Sequence, residues 1–363
     1  MRLIQFKIPP VVILRVGLIE GDSVFDLTDL NLSWDNIYSI FIEARKANKT
    51  LEEFIDSSKF RQYCRTMNYG ELLKNRPGDK GGWILPPINH PDPEDCMVTG
   101  TGLTHLGSMS QRDKMHKSHS AVQLKNRDEV KQKTDSQKMF EMGLEGGKPE
   151  RGKRGIAPEW FYKGNGSILR GYNDFLDIPS FSEDGGEEPE IVGCYIIGED
   201  GVPYRLGFAI ANEWSDHITE RVNYLWLAPS KLRTCSIGPE LVTNQSFKDI
   251  RGYCRIYRGN NMLYDSGELL TGEDNMSHSL ANLEDHHFKY PQFRTPGDVH
   301  IHFFGTMKLS FGNRSAFQDD DKIEIHFDSM GADLVNYVRR IPKDSAPVVV
   351  QKGSTTPRIN AGA

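Results

Sequence analysis

Three glutamates flank a predicted β-hairpin near the middle of the chain. Glu188 and Glu190 are two residues apart, so in a strand their carboxylates project from the same face. Apolar residues follow, and a turn at 198–201 (Gly-Glu-Asp-Gly) sends the chain back through a second apolar run that ends in Glu213. Such a hairpin brings the three carboxylates together. Clustered carboxylates raise one another's pKa unless a cation lies among them.

The chemistry expected of this cluster is the binding of a hard divalent ion. All-oxygen ligands suit Mg²⁺, with Mn²⁺ or Ca²⁺ as alternatives, better than they suit zinc. An arbitrary Glu-x-Glu is more often a solvated acidic turn. Here the apolar flanks place the acids next to a core, which favours a binding site.

Further candidates lie outside the hairpin. Lys163 directly follows three aromatic residues and is either a surface residue or a charge held at a pocket wall. Lys231 lies in a Ser/Gly/Pro-rich loop, where surface exposure is an equally good interpretation. His105 follows a small-residue loop and could act as an acid or base, although an isolated histidine is more often structural. His300 and His302 share one face of a predicted strand, but no third ligand has a useful spacing, so polar residues on a sheet surface are favoured over a metal site.

Composition limits the class of protein. A net charge of −6 and a pI near 6.0 argue against a general nucleic-acid binder. No run approaches the roughly 18 apolar residues that span a membrane, and the amino terminus lacks the apolar core of a secretory signal. Five cysteines without CxxC spacing suggest neither a disulfide framework nor a zinc site. The reducing cytoplasm is the simplest location.

The elements that must position these residues follow from local patterns. Short apolar stretches in 2–30, with a hairpin turn at Gly21-Asp22, predict strands, and residues 35–76 have helical spacing with Thr50 as a cap. A later helix is predicted at 275–288, capped by Asn275. Pro-rich segments before residue 93 indicate a domain boundary. The predicted units are a small N-terminal domain (1–92), a catalytic domain (93–343) with a basic insert or lid (112–154, 12 Lys and Arg against seven Asp and Glu), and a loose C-terminal tail (344–363).

Taken together, the motifs resemble the fumarylacetoacetate hydrolase superfamily over roughly residues 95–340. The residues that carry the resemblance are Glu188-Pro189-Glu190, the segment 207–213 with Glu213 replacing the usual aspartate, Lys231 before Gly238-Pro239, Gly297-Asp298-Val299, and Gly305-Thr306. The phrases at 100–108, 158–164 and 230–233 are more similar to the 2-keto-3-deoxy-L-arabonate dehydratase branch. The resemblance implies an α+β, mainly β fold, with a mixed β-sheet roll core and a smaller N-terminal α/β domain. It also implies a cytoplasmic homodimer.

The same resemblance implies a function. A divalent ion on Glu188, Glu190 and Glu213 would chelate a 2-keto acid and stabilise the enolate formed at C3, and loss of the C4 hydroxyl would give 2-oxoglutarate semialdehyde. The residues expected to assist are Lys163 and Lys231, with Gly305, Thr306, Ser230 and Asn212 as substrate-binding residues. The spacing does not decide whether the catalytic histidine is His105 or His116.

Other functions remain open. One is a metal-dependent hydrolase or decarboxylase that cleaves a carbon–carbon bond of a diketo acid on the same scaffold. Another is a protein that binds a metal or a sugar acid without catalysis. A Schiff base on either lysine is the competing chemistry, and nearby acids disfavour it because they keep a lysine protonated.

Overall fold

The computed structural model describes residues 1–10, 13–120, 133–344 and 346–353, and for residues 114–120 it describes the backbone only. The strands are β1 (Arg2–Lys7), β2 (Arg15–Glu20), β3 (Ser23–Asp26), β4 (Thr66–Asn68), β5 (Trp83–Leu85), β6 (Cys96–Gly102), β7 (Glu159–Asn165), β8 (Leu169–Arg170), β9 (Phe175–Ile178), β10 (Pro189–Ile197), β11 (Pro203–Asn212), β12 (Cys235–Ile237), β13 (Leu241–Val242), β14 (Ile250–Arg258), β15 (Asn261–Asp265), β16 (Leu269–Thr271), β17 (Val299–Phe303), β18 (Lys322–Phe327) and β19 (Leu334–Arg340). The helices are α1 (Ile37–Lys46), α2 (Leu51–Ser57), α3 (Phe60–Tyr63), α4 (Tyr69–Leu72), α5 (Leu106–Ser120), α6 (Asp135–Gly146), α7 (His217–Val222), α8 (Leu227–Ser230) and α9 (Leu280–Phe288).

Two mixed sheets form the framework, which confirms a mainly β chain of the α+β class. The larger sheet has the strand order β4-β3-β2-β1-β13-β11-β10-β17-β6-β7, and the smaller has the order β15-β14-β18-β19-β9. The hairpin β10–β11 lies inside the larger sheet, where it is covered on both faces: every residue of β10 is buried. This explains its nearly continuous apolar sequence.

The N-terminal strands belong to the larger sheet. Strand β1 pairs with β13, with Leu3 opposite Leu241. One hydrophobic cluster also contains residues from both sides of the predicted boundary, among them Ile40 of α1 and Val192 of β10. The division at residue 92 therefore remains a prediction, and the pairing shows that the sheet continues across it.

Several local predictions are confirmed. The turn at Gly21 and Asp22 joins β2 to β3. Thr50 caps α2, its hydroxyl accepting from the Glu53 backbone N–H at 3.2 Å while the Glu53 carboxylate accepts from the Thr50 N–H at 2.9 Å. This reciprocal pair is a capping box.

Three predictions are wrong in detail. The stretch 35–76 is interrupted by β4, which pairs with β3 across about forty residues and so is not visible in local periodicity. The helix predicted from Asn275 begins at Leu280 with Ser279 as its cap, and Asn275 ends a short 3-10 turn instead. The pair His300 and His302 is not on a sheet surface: both are buried, because α9 covers that face of β17.

The basic segment 112–154 contains the end of α5 and all of α6, with residues 121–132 outside the described part. Its role as a lid stays a prediction, as does the tail 344–363, of which residues 345 and 354–363 are not described. Among the described residues, no helix is both long enough and apolar enough to span a bilayer.

Candidate metal centre

The register of the hairpin β10–β11 brings the three glutamates together. Pro189 pairs with Asn212, and just beyond this pair the Glu213 N–H donates to the Glu188 carbonyl at 3.0 Å. Glu188 directly precedes β10 and Glu190 is its second residue, so the two side chains project to the same side of the extended chain. One carboxylate oxygen from each glutamate lies within 4.8 Å of the other two. All three side chains are buried, so the predicted cluster is confirmed as a geometric feature.

Each carboxylate has at least one oxygen held by a donor from the protein, and Glu213 has both held. Oε1 of Glu188 accepts from Lys231 Nζ at 2.6 Å and lies 3.0 Å from His217 Nε2. Oε1 of Glu213 accepts from Lys163 Nζ at 3.0 Å.

In Glu190, Oε2 accepts from the Gly305 N–H at 2.7 Å, whereas Oε1 is buried without a hydrogen-bond partner in the described chain. No described residue donates to Oε2 of Glu188 either. Each of these two acids therefore keeps one oxygen available for a further ligand.

The charges explain how three acids tolerate burial. Burial raises the pKa of Glu190 well above its usual range, and the charges of Glu213 and Glu188 raise it further. Burial also acts on Glu188, but Lys231 and His217 outweigh it and hold the pKa of that carboxyl well below its usual range. Burial lowers the pKa of Lys231, yet Glu188 and Glu213 more than compensate and the net shift is upward. Lys231 is therefore an ammonium ion.

Neither candidate lysine is a surface residue. Lys163 and Lys231 are each 1% exposed. Besides Glu213, the Lys163 ammonium donates to the Trp214 carbonyl at 3.2 Å and to the Lys231 carbonyl at 3.1 Å. Lys231 donates to Ser215 Oγ at 2.9 Å and lies 3.3 Å from Glu213. Both lysines thus neutralise the acids from the side of β7 and α8.

The residues predicted to bind substrate are engaged with the backbone. The Thr306 hydroxyl lies 3.0 Å from the Pro189 carbonyl and 2.9 Å from the Lys308 carbonyl and can donate its one proton to either, which fixes the turn after β17 against the strand that carries the acids. Asn212 Oδ1 accepts from the Glu188 N–H at 3.3 Å. Ser230 donates to the Leu227 carbonyl at 2.6 Å and so stabilises α8.

The structure does not place His105 against the carboxylates. Its ring lies between Thr104, at 3.0 Å from Nδ1, and Thr271, at 3.2 Å from Nε2. Burial lowers the pKa of His105 to about 3, so the ring is neutral near pH 7. His116 falls in α5 among the residues whose side chains are outside the described part.

Sequence reasoning missed His217, the described histidine that contacts the trio. It also missed a buried ion-pair network in which Arg112 of α5 donates from Nη1 to both oxygens of Glu159 at 2.8 Å. The Arg112 Nε lies 3.0 Å from Glu220 of α7, close enough for an ion pair although not aligned for a hydrogen bond. The position of His217, four residues after Glu213, could have indicated that it lies near the acids. Nothing in the sequence distinguishes Arg112 from the other charged residues of the basic segment.

The residues present fit a hard divalent cation. The donors are carboxylate oxygens alone, and the unpartnered Oε1 of Glu190 is a buried acceptor that a cation would satisfy. Among the described residues, this trio is the one group of acids, histidines or cysteines whose ligand atoms lie close enough together to share a metal ion. The geometry thus supports a metal centre and leaves the identity of the ion open.

The chain is similar to known proteins in fold, but sequence comparison gives no match. No protein-family model matches the chain, and no curated protein matches it in sequence. Solved structures match over 94% of this chain and all of theirs: a 2-keto-3-deoxy-D-arabinonate dehydratase complexed with magnesium and 2,5-dioxopentanoate (17% identity, TM-score 0.65), a fumarylacetoacetate hydrolase from Exiguobacterium antarcticum (14%, 0.57), and a maleylpyruvate hydrolase from Sphingobium sp. SYK-6 (14%, 0.56). The chain therefore has the fold of the fumarylacetoacetate hydrolase superfamily, as its motifs indicate.

Proposed function

We propose that the chain is a divalent-metal-dependent dehydratase of a 2-keto-3-deoxy sugar acid, such as 2-keto-3-deoxy-L-arabonate, and gives 2-oxoglutarate semialdehyde. The observation that carries the proposal is the buried trio of acids with Lys163 and Lys231 beside it. A dehydratase with the same fold was solved with magnesium and 2,5-dioxopentanoate, and 2,5-dioxopentanoate is the systematic name of 2-oxoglutarate semialdehyde. Mg²⁺ is the proposed ion, with Mn²⁺ or Ca²⁺ as alternatives.

The charges of the site suit an anionic substrate. With all three carboxylates ionised, as a bound cation would favour, they and the two lysine ammonium groups sum to one excess negative charge before the ion is counted. A divalent ion changes this to one excess positive charge, which the carboxylate of a keto acid would neutralise. A charge-neutral assembly is the arrangement that a buried site tolerates best.

The proposed reaction removes one molecule of water. A bound ion would supply positive charge beside the 2-oxo group and make the C3 protons more acidic. The C3 proton and the C4 hydroxide leave together as that water, which creates a C3–C4 double bond. Transfer of a proton from C5 to C3 then gives an enol with a C4–C5 double bond. The enol hydroxyl loses its proton as C4 gains one, which converts C5 into an aldehyde. The stereocentre at C4 is lost, so D and L substrates would give the same product.

Among the chain's residues, Lys231 is suited to protonate the leaving hydroxyl. Its ammonium is charged, fully buried and in contact with two of the three acids. The same charge makes Lys231 a poor nucleophile for a Schiff base. Lys163 has three oxygen acceptors around Nζ, which suits it to holding Glu213 in place.

Hydrolysis or decarboxylation of a diketo acid is the second candidate. It is favoured by the two hydrolases that share the fold. The ion, the acids and the acidified C3 position would serve either reaction, so the two are separated by product and not by site geometry.

A coupled assay distinguishes these functions. Purified protein is incubated with D and L 2-keto-3-deoxypentonates and Mg²⁺, with and without EDTA, and semialdehyde is followed through an aldehyde dehydrogenase. Semialdehyde that disappears with EDTA is the expected result, whereas release of pyruvate or another short acid supports cleavage. Glu188→Ala should abolish turnover. The matched control Glu199→Ala removes an exposed acid from the turn of the same hairpin and should leave turnover unchanged.

Activity that persists in both EDTA and Glu188→Ala would refute the metal mechanism. A lysine adduct trapped by borohydride would support the Schiff base instead. Tight binding of substrate without turnover would indicate a non-catalytic binding protein.

The proposed assembly is a homodimer in the cytoplasm. Large apolar side chains are exposed around α8, including Leu225 at 80% and Trp226 at 47%, and exposed apolar groups of this kind commonly mark contacts between proteins. All five cysteines are free thiols, as expected in a reducing compartment. Light scattering on a size-exclusion column would test the dimer, and a monomer at micromolar concentration would contradict it.

A further inference from the structure

His217 is the first residue of α7 and is almost completely buried. The helix start is fixed by Asp216, whose carboxylate accepts from the Thr219 N–H at 2.9 Å. The ring therefore projects from a rigid position. Its Nε2 lies 3.0 Å from Oε1 of Glu188.

The space for this ring is made by Gly186. A Cβ atom at this position would overlap Nδ1 and the adjacent ring carbon of His217. Two backbone hydrogen bonds hold Gly186 against Ser215, one at 2.8 Å and the other at 3.0 Å. On another side the ring packs against Phe311, with centroids 5.3 Å apart. The imidazole has little freedom to move away from Glu188.

The contact limits the rotation of the Glu188 carboxylate. Lys231 and His217 both approach Oε1, from separate elements, while Oε2 has no donor in the described chain. A carboxylate held through one oxygen presents the other in a fixed direction. The bidentate alternative, in which both oxygens of Glu188 turn to one ion, would break both contacts.

We propose that His217 is a positioning residue for the metal centre: it holds Glu188 so that a single oxygen is presented to a divalent ion, and it touches neither ion nor substrate itself. The inference rests on the metal site of the proposed function but not on the reaction. Groups that orient metal ligands in this way typically contribute 10- to 100-fold in metal affinity. The sequence feature that makes the contact possible is Gly186, two residues before Glu188.

The test is titration of the metal-free protein with Mn²⁺ alone, followed by the electron paramagnetic resonance signal of free Mn²⁺. His217→Leu should weaken binding about 10- to 100-fold, because the donor is lost and the ring volume is largely kept. His217→Gln places an amide N–H₂ at a similar reach and should restore affinity to within a few fold of the wild type. The matched control is His286→Gln, which removes another buried histidine, one whose hydrogen-bond partners among the described residues are the Gly155 carbonyl and Lys289.

Gly186→Ala gives an independent variant, since it displaces the ring but keeps the imidazole. It should also weaken Mn²⁺ binding, and circular dichroism on each variant establishes that it is folded. Wild-type affinity in folded His217→Leu would overturn the positioning role while leaving the metal site intact. Equal weakening by the Leu and Gln variants would overturn the hydrogen-bond argument in favour of simple packing. Absence of Mn²⁺ binding in the wild type would overturn the metal site and this inference together.

Discussion

Three histidines packed between β17 and α9 should make the protein sensitive to mild acid. His287 and His302 stack with centroids 4.4 Å apart, and His287 Nε2 lies 2.9 Å from His300 Nδ1. Trp160 Nε1, which can only donate, lies 3.2 Å from His287 Nδ1. His287 therefore carries its proton on Nε2 and donates to His300, whose own proton is on Nε2. The hydrogen bonds are consistent with neutral rings.

Protonation of this cluster is opposed by burial and by mutual repulsion. Burial lowers the pKa of His302 to about 3 and that of His300 to about 4, and it holds the pKa of His287 well below its usual range. In the unfolded chain each ring regains a pKa near 6.5. Because the unfolded state then binds more protons, stability is complete above pH 6.5 and falls as the pH drops towards the folded-state values.

The magnitude follows from these values. Each such histidine lowers the free energy of unfolding by about 1.4 kcal/mol for each pH unit below 6.5, or by about 2 kcal/mol at pH 5. Three of them cost about 6 kcal/mol, a large part of the roughly 5–15 kcal/mol that stabilises a typical domain. We therefore expect the free energy of unfolding to fall steeply between pH 6.5 and pH 5.

Urea unfolding at pH 7.5, 6.0 and 5.0 measures this dependence. His302→Asn can retain the contact that His302 Nδ1 makes with Thr99 at 2.7 Å, and it should reduce the pH slope by about one proton, or about 1.4 kcal/mol per pH unit. The control is His326→Gln. Partial burial lowers the pKa of His326, but hydrogen bonds to Asp333 and Asp328 raise it more, so its contribution is present below pH 6.5 and lost as the pH rises. An unchanged slope in His302→Asn, or the same change in both variants, would refute the reasoning.

Three other substitutions test separate parts of the structure. Gly305→Ala should weaken Mn²⁺ binding and lower the melting temperature, because Gly305 has φ +95° and a Cβ would overlap Thr104; calorimetric titration that shows wild-type affinity would contradict this. Arg112→Met should cost about 3–5 kcal/mol, since it removes the guanidinium that pairs with two buried glutamates; a loss below about 1 kcal/mol in urea unfolding would contradict this. Thr50→Ala should cost only about 1 kcal/mol through the lost capping box with Glu53, as measured by thermal unfolding, and a neutral result would mean that water replaces the cap.

The parts of the site that could be predicted from sequence are local. Glu188, Glu190 and the turn at 198–201 lie within one hairpin, so strand periodicity and turn chemistry together fix which side chains meet Glu213. The same is true of the Thr50 cap, which depends on residues three apart. Such features can be predicted without knowing which other segments of the chain pack against them.

The predictions that were wrong depend on contacts between segments that are distant in the sequence. His300 and His302 alternate with apolar residues as surface residues do, and only the packing of α9 on that face makes them buried. Strand β4 depends on pairing with β3, which local periodicity does not report. His217 reaches Glu188 because Gly186 leaves space for its ring, a relation between two residues thirty-one positions apart.

The pairing of the acids also bears on the role of the two lysines. Three buried carboxylates without compensation would cost several kcal/mol each, whereas here two ammonium groups, the His217 ring and one backbone N–H share the compensation. A lysine that acted as a nucleophile would have to lose its proton and leave Glu188 or Glu213 buried beside a neutral amine. That change is opposed by the same charges that raise the pKa of Lys231. The lysines are therefore better suited to balancing the charge of the buried acids than to forming a Schiff base.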